Sequence, residues 1–154
     1  MANYNFIKDL TVAKKTEKEV AAILEKKYNA KILEFGKDHR YDILALIDGK
    51  EVSFEVKEDF MCQHTNNIAV EFECRGKKSG INTTEADYYI YVVPKAGDVT
   101  AYIMYKTSEI IRKIEDKKYF RIVNGGDPGS NTKNYLFKYS VFLIDSITLK
   151  NEEN

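Results

Sequence analysis

Apolar and polar residues alternate on both sides of Asp48-Gly49, with Ile43, Ala45 and Ile47 before the pair and Val52, Phe54 and Val56 after it. Period-two alternation puts those six residues on one face of a strand pair. Asp-Gly between two apolar runs is the strongest short hairpin signal, because a type I′ turn needs positive φ at both central positions. With Ile47 opposite Lys50, counting outward sets Asp42 opposite Glu55, on a shared face. The pattern therefore predicts a hairpin over residues 41–58. One face is wholly apolar, and the other carries Asp42, Ser53, Glu55 and Lys57 far from the turn.

The rest of the chain reads as alternating helices and strands. Val12, Val20, Ile23, Leu24 and Tyr28 recur at near-helical spacing and predict an amphipathic helix ending near Asn29. Thr16-Glu17-Lys18-Glu19 fits a capping box that would begin it at Glu17, whereas Asp9 or Thr11 would cap a longer helix, the reading favoured here. A short strand is predicted over 31–35, before the hairpin. Residues 68–74 alternate strictly, with Glu71 and Glu73 on the polar side. A capped helical turn over 83–87 precedes an aromatic strand over 88–93 that Pro94 stops. Beyond it come a strand over 102–105, a helix from Thr107 or Ser108 to about Asp116, and strands near 119–123 and 135–144. A flexible loop over 124–134, rich in Gly and Asn, joins the last two strands. This order predicts one α/β domain spanning 1–154, with a mixed central sheet flanked by helices.

Composition narrows the picture. A chain of 154 residues is long enough to bury roughly two-thirds of its unfolded surface without staples. Its only cysteines are Cys62 and Cys74, so a reducing, cytoplasmic setting is expected. Neither a leader-type apolar segment nor an apolar run near the ~20 residues of a membrane helix is present, and no membrane partner is expected. The formal charge of zero argues against a protein that coats nucleic acid through a uniformly basic surface. A local basic groove is compatible with it.

Two carboxylates held as close as Asp42 and Glu55 repel each other by about a kcal/mol or more in a partly dry site. A divalent cation would offset that repulsion. Mg²⁺ favours one or two carboxylates plus waters and phosphate oxygens, and the Val56 carbonyl is a further candidate ligand. Glu-Val-Lys alone occurs on any solvated strand. Its weight here comes from the hairpin that pairs the acids, the apolar reverse face and the preceding helix.

Asp42, the triplet Glu55-Val56-Lys57 and Glu17 on the first helix resemble the PD-(D/E)xK nuclease superfamily, the restriction-endonuclease-like fold. Glu17 followed by Val20 and Leu24 is similar to the first helix of archaeal Holliday junction resolvases, and the resemblance covers about residues 11–93. Tyr41 stands where the family name has Pro. The resemblance implies an αβββαβ core with a β-rich extension over about 100–149. It implies a Mg²⁺-dependent DNA endonuclease, with Mn²⁺ as substitute, acting as a homodimer on DNA and selective for branched structures. It also implies catalytic roles for Glu17, Asp42, Glu55 and Lys57 and metal ligation by Asp42, Glu55 and the Val56 carbonyl. Adjacent carboxylates favour a charged lysine, so Lys57 is expected to stabilise charge rather than act as a base. Glu19 is the alternative to Glu17. The stretch 71–77 is similar to some phage-encoded members, which suggests a phage or prophage source.

Arg75, Lys77 and Lys78 form the best basic segment for gripping a DNA backbone, and His39 and Arg40 are further phosphate candidates. Cys62, His64 and Cys74 lack the second ligand pair of a zinc site, so free thiols are expected. The alternative to the nuclease is a catalytically silent DNA- or protein-binding module that keeps the fold.

Overall fold

The computed structural model describes residues 15–59, 61–94, 100–125 and 131–152. Helix α1 (Lys15–Tyr28) precedes β1 (Lys31–Asp38), β2 (Tyr41–Ile47) and β3 (Lys50–Glu58). A one-turn helix, α2 (Cys62–Thr65), leads to β4 (Asn67–Cys74), β5 (Lys77–Lys78) and a 3₁₀ turn (Gly80–Asn82). Next come β6 (Tyr88–Pro94), β7 (Thr100–Lys106), α3 (Thr107–Glu115), β8 (Arg121–Gly125), β9 (Thr132–Lys138), α4 (Tyr139–Phe142) and β10 (Ile147–Glu152). The proposed Asp9 or Thr11 cap lies outside the described residues. Asn29, in the left-handed region at φ 54°, ends α1 where the pattern placed the stop.

A six-stranded sheet runs β1-β2-β3-β6-β7-β10 and a four-stranded one runs β5-β4-β9-β8. In the larger sheet only β3 and β6 pair in parallel. A parallel pair needs a crossover, and this one is made by α2, β4, β5 and the 3₁₀ turn. The fold class is thus the predicted α/β with a mixed sheet, but the crossover contributes two strands to a second sheet.

The larger sheet is covered on both faces. Val20, Ala21 and Leu24 of α1 pack on Ile43, Ala45, Phe54, Ile90, Val92, Tyr102 and Met104. On the other face Tyr89, Tyr91, Val93, Ile103 and Tyr105 meet Ile68, Val70 and Phe137 of the second sheet, Ile110 of α3 and Phe142 of α4. The strands of the larger sheet are therefore buried on both sides at its centre, which accounts for the unbroken apolar run of β6.

Three local readings change. The helical turn lies at Gly80–Asn82 rather than 83–87, because Glu85 and Asp87 bond elsewhere. The Glu85 N–H donates to the Arg40 carbonyl at 2.9 Å, and Asp87 is tied to β3. The strand expected over 135–144 ends at Lys138, where α4 begins; the Tyr139 N–H donates to the Asn66 carbonyl at 2.8 Å and turns the chain. Beyond it, β10 pairs with β7 as an edge strand that the pattern did not predict. Of the loop expected over 124–134, residues 126–130 lie outside the described residues.

Asp87 fastens the start of the parallel pair. Its Oδ2 accepts the Ser53 N–H at 2.9 Å and the Ser53 hydroxyl at 3.1 Å, and the Asp87 N–H donates back to the Ser53 carbonyl at 3.0 Å. Ser53 thus belongs to a strap rather than to the acid group. Asp87→Ala leaves the buried Ser53 N–H without its charged acceptor and should cost about 1–3 kcal/mol, read as a lower urea midpoint at unchanged slope. A midpoint equal to wild type would show the strap to be energetically idle.

Candidate active site

The hairpin forms in the predicted register. Asp48 and Gly49 take φ of 51° and 76°, and Ile43–Phe54, Leu44–Ser53, Ala45–Val52, Leu46–Glu51 and Ile47–Lys50 pair. The ladder's last pair is Ile43–Phe54, so the next positions outward are Asp42 and Glu55. Ile43 and Phe54 point to the α1 side, which sends Asp42 and Glu55 to the face beneath the second sheet. There the Asp42 carboxylate accepts the Val56 N–H at 2.7 Å. Within a strand, one residue's N–H and C=O leave along the same edge. The Val56 carbonyl therefore emerges on the β2 side, as Asp42 does.

Glu55 is mostly covered, with its side chain 13% exposed, and the Lys57 ammonium lies 3.5 Å from its Oε1. The Thr84 hydroxyl is 3.4 Å from Glu55 Oε2 and equally far from the Arg40 carbonyl; its single proton can serve only one. Burial raises the Glu55 pKa above the ordinary carboxylate value, and the Asp42 charge raises it further, while Lys57 and Thr84 pull the other way. The balance still disfavours the ionised form. This site is short of positive charge.

Glu55 and Lys57, but not Asp42, line a cleft of about 450 Å³ between the end of β3 and the second sheet, together with His39, Glu71, Lys78, Ser79 and Gly80. Lys78 thus stands across the cleft from Glu55 and Lys57. Arg75 and Lys77 lie outside its lining. The expected flexible basic loop is in fact a tight hairpin, with Arg75 and Gly76 at φ 53° and 77° and Cys74–Lys77 and Glu73–Lys78 paired. Arg40 is held by Asp38, Nε to Oδ1 at 3.0 Å, and its guanidinium lies over the Tyr41 ring.

Glu17 is not grouped with the acids. It lies one turn before Val20 and Ala21, on the helix that packs against the opposite face of the sheet, and the charges that act on Glu55 are those of Asp42 and Lys57. Glu19 is exposed on the same helix. Among the described residues neither Cys62 nor Cys74 is in a disulfide, and Cys62 is buried, while His64 is exposed on α2.

Sequence reasoning passed over four neighbours. Thr84 touches Glu55. Glu71 faces the cleft, whereas Glu73 is turned to Lys133 at 3.2 Å by a bulge between the two acids. Tyr89, directly beside Glu55 in the β3–β6 pairing, is 1% exposed. Its phenol is pushed far up by burial, then by the Glu55 charge, with Asp42 and Glu71 adding to it. Ser79 has a buried hydroxyl in the same wall. Only their position across two sheets brings these groups together, and no local spacing signals that.

Asp42, Glu55 and the Val56 carbonyl offer two or three hard oxygens. Among the described residues no group of three His, Cys, Asp or Glu side chains forms. That donor set is too small for a full protein cage. It fits an ion that keeps waters and takes substrate oxygens, and the charge deficit at Glu55 is what such an ion relieves. No helix among the described residues is long and apolar enough to cross a membrane. Searches against protein-family models, curated proteins and solved structures find no match to the chain.

Proposed function

We propose that the chain is a metal-dependent phosphodiesterase that cuts DNA, with a PD-(D/E)xK-like site made of Asp42, Glu55 and Lys57. The observation that carries this reading is the in-register hairpin, whose next positions beyond Ile43–Phe54 are two acids close enough for the Asp42 charge to act on Glu55, with Lys57 3.5 Å from Glu55 and both of these lining a cleft. A solvated strand face would gain nothing from holding a repelling pair in partial burial.

Asp42, Glu55 and the Val56 carbonyl would hold Mg²⁺ or Mn²⁺, which when bound supplies Lewis-acid polarisation of the phosphate and an activated water. The Lys57 ammonium would lie against the phosphate and stabilise the charge that builds on it during displacement. The Val56 N–H fixes the Asp42 carboxylate, so that acid does not have to be ordered when substrate arrives. Lys78, across the cleft, would hold the strand's backbone. The resemblance extends the proposal to a homodimer working on branched DNA in a cytoplasm, that of a phage-infected cell included.

The test is incubation of the purified chain with supercoiled, linear, single-stranded and four-way-junction DNA in Mg²⁺, Mn²⁺ or EDTA. Cleavage that requires the metal is expected. Metal-independent binding without cleavage of any of these would replace the enzyme with a silent DNA-binding module.

Lys77→Ala with Lys78→Ala should weaken binding across all sequences and flatten its salt dependence. Each lost phosphate contact removes about 0.9 from the log–log slope on duplex DNA. Because only Lys78 lines the cleft, most of the change should persist in the Lys78→Ala single variant. Identical slopes for mutant and wild type would make β5 an ordinary solvated edge.

A further inference from the structure

Beyond Lys57 the cleft continues into a second cavity of about 340 Å³. Lys57, Glu71 and Gly80 border both spaces, so the two are contiguous. The back of this cavity is saturated. The Tyr91 hydroxyl donates to the Ala69 carbonyl at 3.4 Å, and Asp59 accepts the Cys62 and Ala69 N–H groups at 3.1 and 3.2 Å.

Its remaining polar wall is not saturated. Tyr89 Oη is buried and has no hydrogen bond of good geometry to any described residue, although the Thr84 hydroxyl is near enough to bear on it. Leaving a buried hydroxyl unsatisfied costs about 1–3 kcal/mol, so one in this state on a residue that lines the cavity points to a ligand. Glu71 and Asn134 border the same space.

Resting on the phosphodiesterase reading, we propose that this cavity receives an unpaired nucleobase next to the scissile phosphate, with Glu71, Asn134 and Tyr89 contacting its edge. The volume lies within the range of small-molecule sites, and the position is one nucleotide's reach from the cleft. Glu71 only accepts, Asn134 both donates and accepts, and a tyrosine hydroxyl does either. That set favours a base with an amino group, guanine, adenine or cytosine, over thymine. A paired base has its Watson–Crick edge taken up by its partner and stays in the stack, out of reach of a cavity. The substrate class is therefore DNA with an extrahelical, mispaired or single-stranded nucleotide at the cut, since such a base enters a pocket at least cost.

The experiment titrates the full chain, in EDTA, with dGMP, dAMP, dCMP, dTMP and 2-deoxyribose 5-phosphate, following amide shifts by NMR. The amino-bearing nucleotides should bind about tenfold tighter than the sugar phosphate, the worth of one or two good hydrogen bonds. Glu71→Gln should erase most of their advantage over dTMP. Tyr89→Phe should weaken every nucleotide while leaving the melting temperature close to wild type, because the lost hydroxyl makes no hydrogen bond of good geometry to a described residue. Equal affinity for sugar phosphate and nucleotides, or discrimination unchanged in both variants, overturns the pocket. Cleavage in Mg²⁺ is scored separately. Cleavage without base discrimination removes the pocket and leaves the nuclease, whereas base discrimination without cleavage of any DNA removes the nuclease and leaves a nucleotide site.

Discussion

Glu55→Gln should abolish Mg²⁺-dependent cleavage and at the same time raise the melting temperature of the metal-free protein near neutral pH. The raised pKa of Glu55 means that folding disfavours its ionised form. That destabilisation is absent below the ordinary glutamate value, where folded and unfolded chains are both protonated. It grows as pH rises through the interval up to the raised value, and is constant above it. The gap between the Glu55→Gln variant and wild type should therefore be near zero in acid and positive at neutral pH. The ion pair lost with Lys57, itself 40% exposed, offsets little of this. Thermal melts in EDTA across that range, beside a cleavage assay, check both halves. A variant that cuts at the wild-type rate sinks the site, and a gap that does not change with pH sinks the electrostatic account.

The two acids are not equivalent under mutation. Sequence alone suggests that removing either relieves repulsion. Asp42, however, also satisfies the Val56 N–H at 2.7 Å. Asp42→Asn keeps an acceptor and should lose activity at unchanged or higher stability. Asp42→Ala strands that N–H, and should lose about 1 kcal/mol or more as well.

The hairpin was legible because every signal it needs is local: a two-residue turn fixes the register, and the register fixes the faces. The parallel partnership of β3 with β6 was not, since nothing in residues 41–58 says which strand will lie beside them. The same holds for Tyr89 and Glu71, which reach the acids only through that pairing and through the second sheet. Residues 139–144 misled for a different reason. Val141-Phe142-Leu143-Ile144 continues the apolar character of β9 while breaking its period, and an apolar run without alternation suits a buried helical turn as well as a strand. Phe142 is buried and its carbonyl accepts the Tyr105 hydroxyl, so tertiary anchoring decided the outcome. Glu17 lies on the helix that packs against the opposite face of the sheet, and among the described residues it forms no three-acid group with Asp42 and Glu55.

Gly80→Ala should be the most damaging single methyl in the cleft wall. Gly80 has φ +53°, and a Cβ there would lie 2.2 Å from the Glu71 carbonyl oxygen, a backbone atom that cannot swing aside. The left-handed conformation alone costs a non-glycine residue roughly 1–2 kcal/mol, and forced overpacking adds about 1–3 kcal/mol. Gly49 separates the two terms, because its φ is +76° but nothing lies within 4 Å of its would-be Cβ. Gly49→Ala should therefore show the conformational cost without the clash. In a domain of this size each kcal/mol moves the melting temperature by about 2–4 °C, so the two variants should melt measurably apart, with Gly80→Ala the lower. The alanine can be seated only if the 3₁₀ turn backs away from β4, which shifts Glu71, Ser79 and Lys78 relative to Glu55. DNA cleavage by Gly80→Ala, assayed well below its melting temperature, should then fall, while Gly49→Ala cuts normally. Equal melting temperatures for the two variants would mean that the turn does not press on β4 in solution.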